Sequence, residues 1–145
     1  MQVQFLKATA ICVAAIACIG CSGDAKSTFE KNVIPKYKER VQSVCRQMSN
    51  ADIDITFDEG STSYNVIKTN SEVSPQTGFF EYTVTANSDG KTASQGAKVS
   101  LAFQNGKWVF RDVDFPPTDY DTVEKAILET KLIAVTVEAV KFFDE

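Results

Sequence analysis

Apolar residues recur every three or four positions near the start of the chain and every second position further along it. The helical spacing predicts one amphipathic helix over about 28–49, with an apolar face of Phe29, Val33, Tyr37, Val41, Val44 and Met48. Ser27 and Glu30 fit a capping box at its beginning. Pro35 either kinks this helix or, as a residue of the first turn, marks its true start after a looser lead-in.

From Asp52 onward the period of two is typical of half-buried strands. The pattern predicts short strands over about 53–57, 64–69, 79–86, 98–104 and 107–115. Residues 59–61 are predicted to turn the chain from the first strand into the second. Asp89-Gly90 and Asn105-Gly106 favour tight hairpins, because both central residues of a type I′ turn need a positive φ.

The two hairpins predict a common apolar face. If both loops have two residues, Phe103 lies opposite Trp108 and Phe80 lies opposite Val99, and Val99 falls on the same face in both registers. This agreement indicates an antiparallel meander of four or five strands. The apolar positions then change parity, which indicates a bulge near 111–112 or an end to pairing there.

Pro116-Pro117 ends the sheet, and Asp121 with Glu124 opens a second helix that runs to about Phe143. Its stretch 132–140 is rich in β-branched residues and could instead form a strand. On a helix the apolar residues form two stripes on nearly opposite sides. The first stripe is Val123, Ala126, Ile127, Ile133, Ala134, Val137 and Val140. The second stripe is Leu128, Leu132, Val135, Ala139 and Phe142.

A helix that covers one sheet needs only one apolar stripe, so something must cover the second. Either the N-terminal helix packs there, or the second stripe is an interface with a partner protein or a second copy of the chain. Phe79 is the next candidate interface residue, because its parity is opposite to that of Phe80 and Tyr82 and places it beside polar neighbours.

The order of these elements predicts a single α+β domain over 28–145, with an N-terminal helix, an antiparallel meander and a C-terminal helix. This order is loosely similar to that of cystatin-like and nuclear transport factor 2-like domains, which wrap a bent sheet around a helix. The likeness concerns the fold alone and implies no function.

Residues 1–20 have the features of a signal peptide. Lys7 precedes an uncharged run from Ala8 to Gly20, which is too short to span a membrane because spanning takes about 20 apolar residues. The run ends in Gly20-Cys21, which resembles the lipobox of bacterial lipoproteins. In that family a small residue precedes a cysteine whose thiol receives diacylglycerol, and the peptide is cut before that cysteine.

The resemblance implies that Cys21 is the acylated residue and that 21–27 form a short lipidated tether. Cys18 departs from the family pattern, which usually has an aliphatic residue at that position, and is a second possible acceptor. Ser22 stands where enterobacterial lipoproteins of the inner membrane have Asp. The resemblance therefore implies the outer membrane, with the domain in the periplasm.

Histidine is absent from the sequence, and three of its four cysteines lie within the first 21 residues. This composition excludes His-based catalytic triads, imidazole metal sites and a disulfide framework. Only Cys45 remains beyond the acceptor, and its position beside the apolar face predicts a core thiol.

Pairs of acidic residues are the recurring candidates for chemistry: Asp52/Asp54, Asp58/Glu59, Asp112/Asp114 and Asp119/Asp121. Two such carboxylates on one face could hold a hard cation or serve in acid/base catalysis. Their alternation with apolar residues favours the solvated face of a half-buried strand. The nucleophile motif Gly-x-Ser-x-Gly and the phosphate-binding Walker motif are absent. We therefore predict no catalytic residue, metal ligand or cofactor site.

The whole sequence has a net charge of −4, and removal of 1–20 takes away Lys7 and no acid. Such a chain is not expected to bind nucleic acid, and acylated Cys21 would supply its affinity for the lipid bilayer. The leading hypothesis is a non-enzymatic module at the bacterial envelope that binds a protein partner, as an assembly accessory, an inhibitor or an immunity or exclusion factor. The alternative is a carrier that holds an apolar ligand between sheet and helix, and a small hydrolase is the third hypothesis.

Overall fold

Four antiparallel strands form one sheet in the order β1-β2-β3-β4, and the helices cover one of its faces. The computed structural model describes residues 21–67, 76–118 and 121–145. The strands are β1 (Asp54–Ile67), β2 (Gln76–Ser88), β3 (Lys91–Gln104) and β4 (Lys107–Asp114). The helices are α1 (Cys21–Thr28), α2 (Ile34–Met48) and α3 (Val123–Ala139). A π-helical turn (Phe29–Val33) joins α1 to α2, and a 3₁₀ turn (Val140–Asp144) follows α3.

The predicted hairpin registers are confirmed. Phe80 pairs with Val99 across β2 and β3, and Phe103 pairs with Trp108 across β3 and β4. The turn residues Asp89, Gly90, Asn105 and Gly106 have φ values of 50°, 79°, 53° and 79°. Both loops therefore have the left-handed conformation that type I′ turns require.

The predicted bulge in β4 is also confirmed, and it falls at Arg111. Leu101 pairs with Phe110 and Ser100 pairs with Asp112, so Arg111 has no partner on β3. The extra residue changes the parity of the strand, as bulges do.

The predicted turn at 59–61 is wrong, because β1 continues through it as one strand. Pairing with β2 passes from Asp58↔Thr83 to Ser63↔Glu81, so the chain between these pairs forms a bulge. Ser61 explains why the chain does not reverse here. Its hydroxyl donates to the Asp58 carbonyl at 2.7 Å and accepts from the Thr83 N–H at 2.9 Å, which replaces the missing ladder bonds.

The N-terminal helix begins earlier than predicted. Residues 21–28 are already helical, so Ser27 lies inside a helix and the predicted capping box is wrong. Ala25, within the predicted tether, and Phe29 are both fully buried, and these contacts stabilise the added turns. Pro35 lies in the first turn of α2 after the π-helical turn, in agreement with the second of its two interpretations.

The core lies between the inner face of the sheet and helices α2 and α3. Tyr82 on β2 is its polar centre, since its hydroxyl lies 3.0 Å from the Tyr37 hydroxyl and 2.7 Å from that of Thr136. Aromatic and aliphatic side chains surround these hydroxyls, and the largest fully buried ones are Phe29, Phe80, Leu101, Leu132, Val41, Val84, Val99 and Val135. Sheet and helices together thus give the predicted α+β fold.

Candidate interaction surface

The structure decides between the two alternatives for the second stripe of α3, because the N-terminal helix packs against it. Residues 132–140 are helical rather than extended up to Ala139, and the second stripe lies against the sheet and α2. Leu128, Leu132, Val135 and Ala139 are buried. The alternative that they form an interface is therefore wrong, and the alternative that the N-terminal helix covers them is confirmed. Phe142 is half-buried, with its ring centroid 6.1 Å from that of Tyr37.

Two polar side chains decide this orientation. Thr136 is buried because Tyr82 supplies a hydrogen bond at 2.7 Å, and Glu129 is buried where the Thr118 hydroxyl donates to its carboxylate. With these partners the buried side of α3 includes two polar residues that belong to neither apolar stripe. Val123, Ile127 and Val137 of the first stripe therefore face outward, and its other members are half-buried: Ala126, Ile133, Ala134 and Val140.

The outward side of α3 carries a row of apolar and small residues. Val123, Ile127 and Val137 expose 70%, 54% and 48% of their surface. Thr130 and Ala134 complete the row, which we name the exposed stripe: Val123, Ile127, Thr130, Ala134 and Val137. The intervals of four, three, four and three residues match the seam of a coiled coil. This spacing is present in the sequence, but by itself it does not decide which side of the helix faces solvent.

A notch adjoins the exposed stripe at the beginning of α3. It has a volume of about 270 Å³ and lies between the Asp89-Gly90 turn and the first turns of α3. Ile53, Ile127 and Leu128 give it apolar walls. Lys91 and Glu124 form an ion pair of 3.6 Å at its rim. Because Ile127 belongs to both features, the notch and the exposed stripe form one continuous surface.

The outer face of the sheet is a second, more polar surface. Phe79 lies on this face and is half-buried, and Lys98 places its ammonium nitrogen 4.4 Å from the centroid of the Phe79 ring. A concavity of about 540 Å³ surrounds this pair, with Ser100 and the bulge residue Arg111 among its lining residues. Lys98 covers Phe79, so this candidate residue offers less apolar surface than the exposed stripe does.

The acidic pairs lie on the outside of the domain. Asp52, Asp54, Asp112 and Asp114 are exposed, and Asp58 accepts a hydrogen bond from the Thr85 hydroxyl at 2.8 Å. Glu59 forms an ion pair of 3.7 Å with Lys38. Asp119 lies outside the described residues. Within 21–67, 76–118 and 121–145, no group of three or more acidic or cysteine side chains is arranged to hold a metal ion.

Burial holds Tyr37, Cys45 and Tyr82 in their neutral forms. Burial raises the pKa of Tyr82 to about 12 and that of the Cys45 thiol to about 11, and burial also raises the pKa of Tyr37 well above its ordinary value. The reactive form of a cysteine is the thiolate, so the Cys45 thiol is a packing group at neutral pH.

Side chains fill the space between sheet and helices in the described part of the chain. Phe80 and Leu101 from the sheet meet Tyr37 and Leu132 from the helices, and all four are fully buried. This arrangement is typical of a packed core, whereas a carrier of apolar ligands needs a cavity there.

No family model, curated protein or solved structure matches this chain. Among the helices that the structure describes, none combines the length and the apolar character needed to cross a membrane. The protein is an α+β domain whose helices cover one face of a four-stranded meander.

Proposed function

We propose that this chain is a lipoprotein of the bacterial envelope, anchored through acylated Cys21, whose domain binds a helix of a protein partner without catalysing a reaction. The observation that carries the proposal is the exposed stripe on α3, which is apolar, regular and continuous with the notch. A partner helix with the same spacing would pack along it, with Thr130 and Ala134 allowing close approach.

The energetics fit a partner that is met at a membrane. Val123, Ile127 and Val137 expose between 48% and 70% of their surface, so covering each would stabilise a complex by on the order of 1 kcal/mol. That sum is small beside the entropic cost of association between two freely diffusing proteins. Anchoring both partners to one envelope would raise their effective concentration and offset part of this cost.

The anchor is supported by the sequence resemblance at Gly20-Cys21. Several acyl chains hold a protein on a bilayer durably, whereas a single myristoyl chain binds only marginally. The family pattern at Ser22 supports the outer membrane, with the domain in the periplasm. Gly20 and the proposed signal peptide lie outside the described residues.

The lipid anchor is tested by changing Cys21→Ser in the full chain. We expect this variant to remain as uncleaved precursor and to incorporate no labelled palmitate, while the unaltered chain is processed and labelled. A Cys18→Ser variant is the matched control and should behave like the unaltered chain. Labelling of Cys21→Ser together with loss of labelling in Cys18→Ser would move the anchor to Cys18. Absence of labelling in the unaltered chain would contradict the proposal.

The protein interface is tested by a pair of double variants. Ile127→Asp with Val137→Asp places two charges in the exposed stripe. As the control, Ser94→Asp with Ser100→Asp places the same two charges on the outer face of the sheet, where Ser100 pairs with Phe79. A photoreactive residue at Val123 should give a crosslinked product in the envelope that the first variant loses and the second retains. The reverse result would place the interface on the outer face, and a product of twice the chain mass would identify a second copy as the partner.

A further inference from the structure

The first helix is fixed to the sheet close to the proposed lipid anchor. The indole N–H of Trp108 donates to the Ala25 carbonyl at 2.9 Å, and the rings of Trp108 and Phe29 lie 4.9 Å apart. Ala25 is fully buried and comes four residues after Cys21. Four residues span about 6 Å as a helix and at most about 14 Å when extended, so the lipid and the domain must be close together.

The contacts of this helical segment show which end of the sheet lies nearest to Cys21. Ala25 meets Trp108 beside the Asn105-Gly106 turn, Tyr37 meets Tyr82 in the middle of the sheet, and Ser49 accepts from the N–H of Ile55 near the other end. The segment therefore runs along the sheet, and its N-terminus points toward the Asn105-Gly106 turn. The opposite turn, Asp89-Gly90, lies roughly 40–45 Å away at about 3.3 Å per residue of β3.

Apolar side chains of the sheet are exposed at the same end. Ile67 and Val109 expose 50% and 38% of their surface. They are the two ends of one row of cross-strand neighbours, whose middle members are Thr77 and Ala102. Lys107 is exposed beside the turn. Aliphatic side chains beside a lysine are suited to the boundary between the headgroups and the acyl chains of a bilayer. The aliphatic side chains enter this boundary, while the lysine ammonium stays among the headgroups.

We infer that the Asn105-Gly106 end of the sheet rests on the lipid bilayer, with Ile67 and Val109 at the surface of the membrane. The inference rests on the proposed acylation of Cys21. The notch and the beginning of the exposed stripe then face away from the membrane, because Glu124 and Ile127 lie beside the Asp89-Gly90 turn. Each anchored copy thus presents its binding surface outward at a fixed height.

The test uses the acylated chain reconstituted in vesicles of phosphatidylcholine and phosphatidylglycerol, a part of which carries a spin label on the lipid. A bimane fluorophore is attached at Ile67→Cys, at Val109→Cys or, as the matched control, at Lys91→Cys near the far turn. Because Cys45 is buried, it does not compete for the label. We expect quenching at the first two positions to be at least twofold stronger than at the control position.

A linker variant separates orientation from anchoring. About 12 glycine and serine residues inserted between Ser22 and Gly23 would let the domain lift by roughly 20 Å. Quenching at Ile67→Cys should then fall to the level of the control position, while the mass of the acylated peptide stays the same. Equal quenching at all three positions in a chain with acylated Cys21 would overturn the orientation and leave the lipoprotein proposal standing. A chain that lacks the acyl mass at Cys21 would overturn both.

Discussion

The Tyr82 hydroxyl lies 2.7 Å from the Thr136 hydroxyl, so a hydrogen bond inside the core joins β2 to α3. Tyr37 extends this contact to α2, with its hydroxyl 3.0 Å from that of Tyr82. Three elements that are distant in the sequence are therefore held by one chain of hydroxyls. A buried hydroxyl without a partner costs free energy, so this chain selects the arrangement of helices that satisfies all three groups.

Removal of the central hydroxyl should destabilise the domain. Tyr82→Phe leaves the hydroxyls of Tyr37 and Thr136 without their partner, and we expect the free energy of unfolding to fall by about 1–3 kcal/mol. Tyr64→Phe is the matched control, because 45% of that residue is exposed, and should change the free energy of unfolding by less than about 0.5 kcal/mol. Urea denaturation followed by circular dichroism measures both, and equal effects would contradict the role of the hydroxyl chain.

The domain should lose stability in alkaline solution. The pKa of Cys45 rises from 9.0 to about 11 on folding and that of Tyr82 from 10.0 to about 12, so the folded state holds these protons more tightly than the unfolded state. This contribution is fully present below pH 9 and is lost as the pH rises toward 12. Each group lowers the free energy of unfolding by up to about 1.4 kcal/mol per pH unit.

Urea denaturation between pH 8 and pH 11 tests this dependence. Cys45→Ala removes the thiol, so its free energy of unfolding should fall less steeply with pH than that of the unaltered chain. Identical slopes would show that the thiol titrates alike in the folded and unfolded states.

Trp108 should be one of the most sensitive positions. Trp108→Ala removes a buried ring and should cost about 3–5 kcal/mol, whereas Trp108→Phe keeps most of the packing and loses the bond to Ala25, at about 1–2 kcal/mol. Val109→Ala, the next residue on the opposite face, should cost less than about 1 kcal/mol. A similar loss for Trp108→Ala and Val109→Ala in thermal unfolding would refute the register of this hairpin.

Gly78 should not tolerate a side chain. A Cβ there would lie 3.2 Å from both the Asn65 carbonyl oxygen and the edge of the Trp108 ring, so Gly78→Ala should displace Trp108 and cost about 1–3 kcal/mol. At Gly96, on the neighbouring strand, the nearest atom would be 3.5 Å away, and Gly96→Ala should be close to neutral. Trp fluorescence reports the displacement directly, since Trp108 is the single tryptophan of the chain.

The two stripes of α3 should respond oppositely to charge. Leu132→Asp with Val135→Asp buries two carboxylates in the core and should prevent folding, whereas Ile127→Asp with Val137→Asp should leave the circular-dichroism spectrum and the melting temperature nearly unchanged. Folding of the first variant and unfolding of the second would reverse the assignment of the stripes.

Local chemistry determined the sheet. Asp89-Gly90 and Asn105-Gly106 each favour a turn with positive φ at two successive residues. Such a turn sets the register of the cross-strand pairs in its hairpin. The parity change that predicts the bulge at Arg111 is likewise a property of neighbouring residues. The meander and its apolar face could therefore be predicted from the sequence.

Tertiary contacts decided what the sequence left open. Glu129 and Thr136 are polar and belong to neither apolar stripe, yet they are buried because partners 11 and 54 residues away supply hydrogen bonds. Ala25 is held in a helix by Trp108, 83 residues further along the chain. Periodicity shows that α3 has two apolar sides. Which side faces the core, and therefore where the exposed stripe lies, depends on these distant partners.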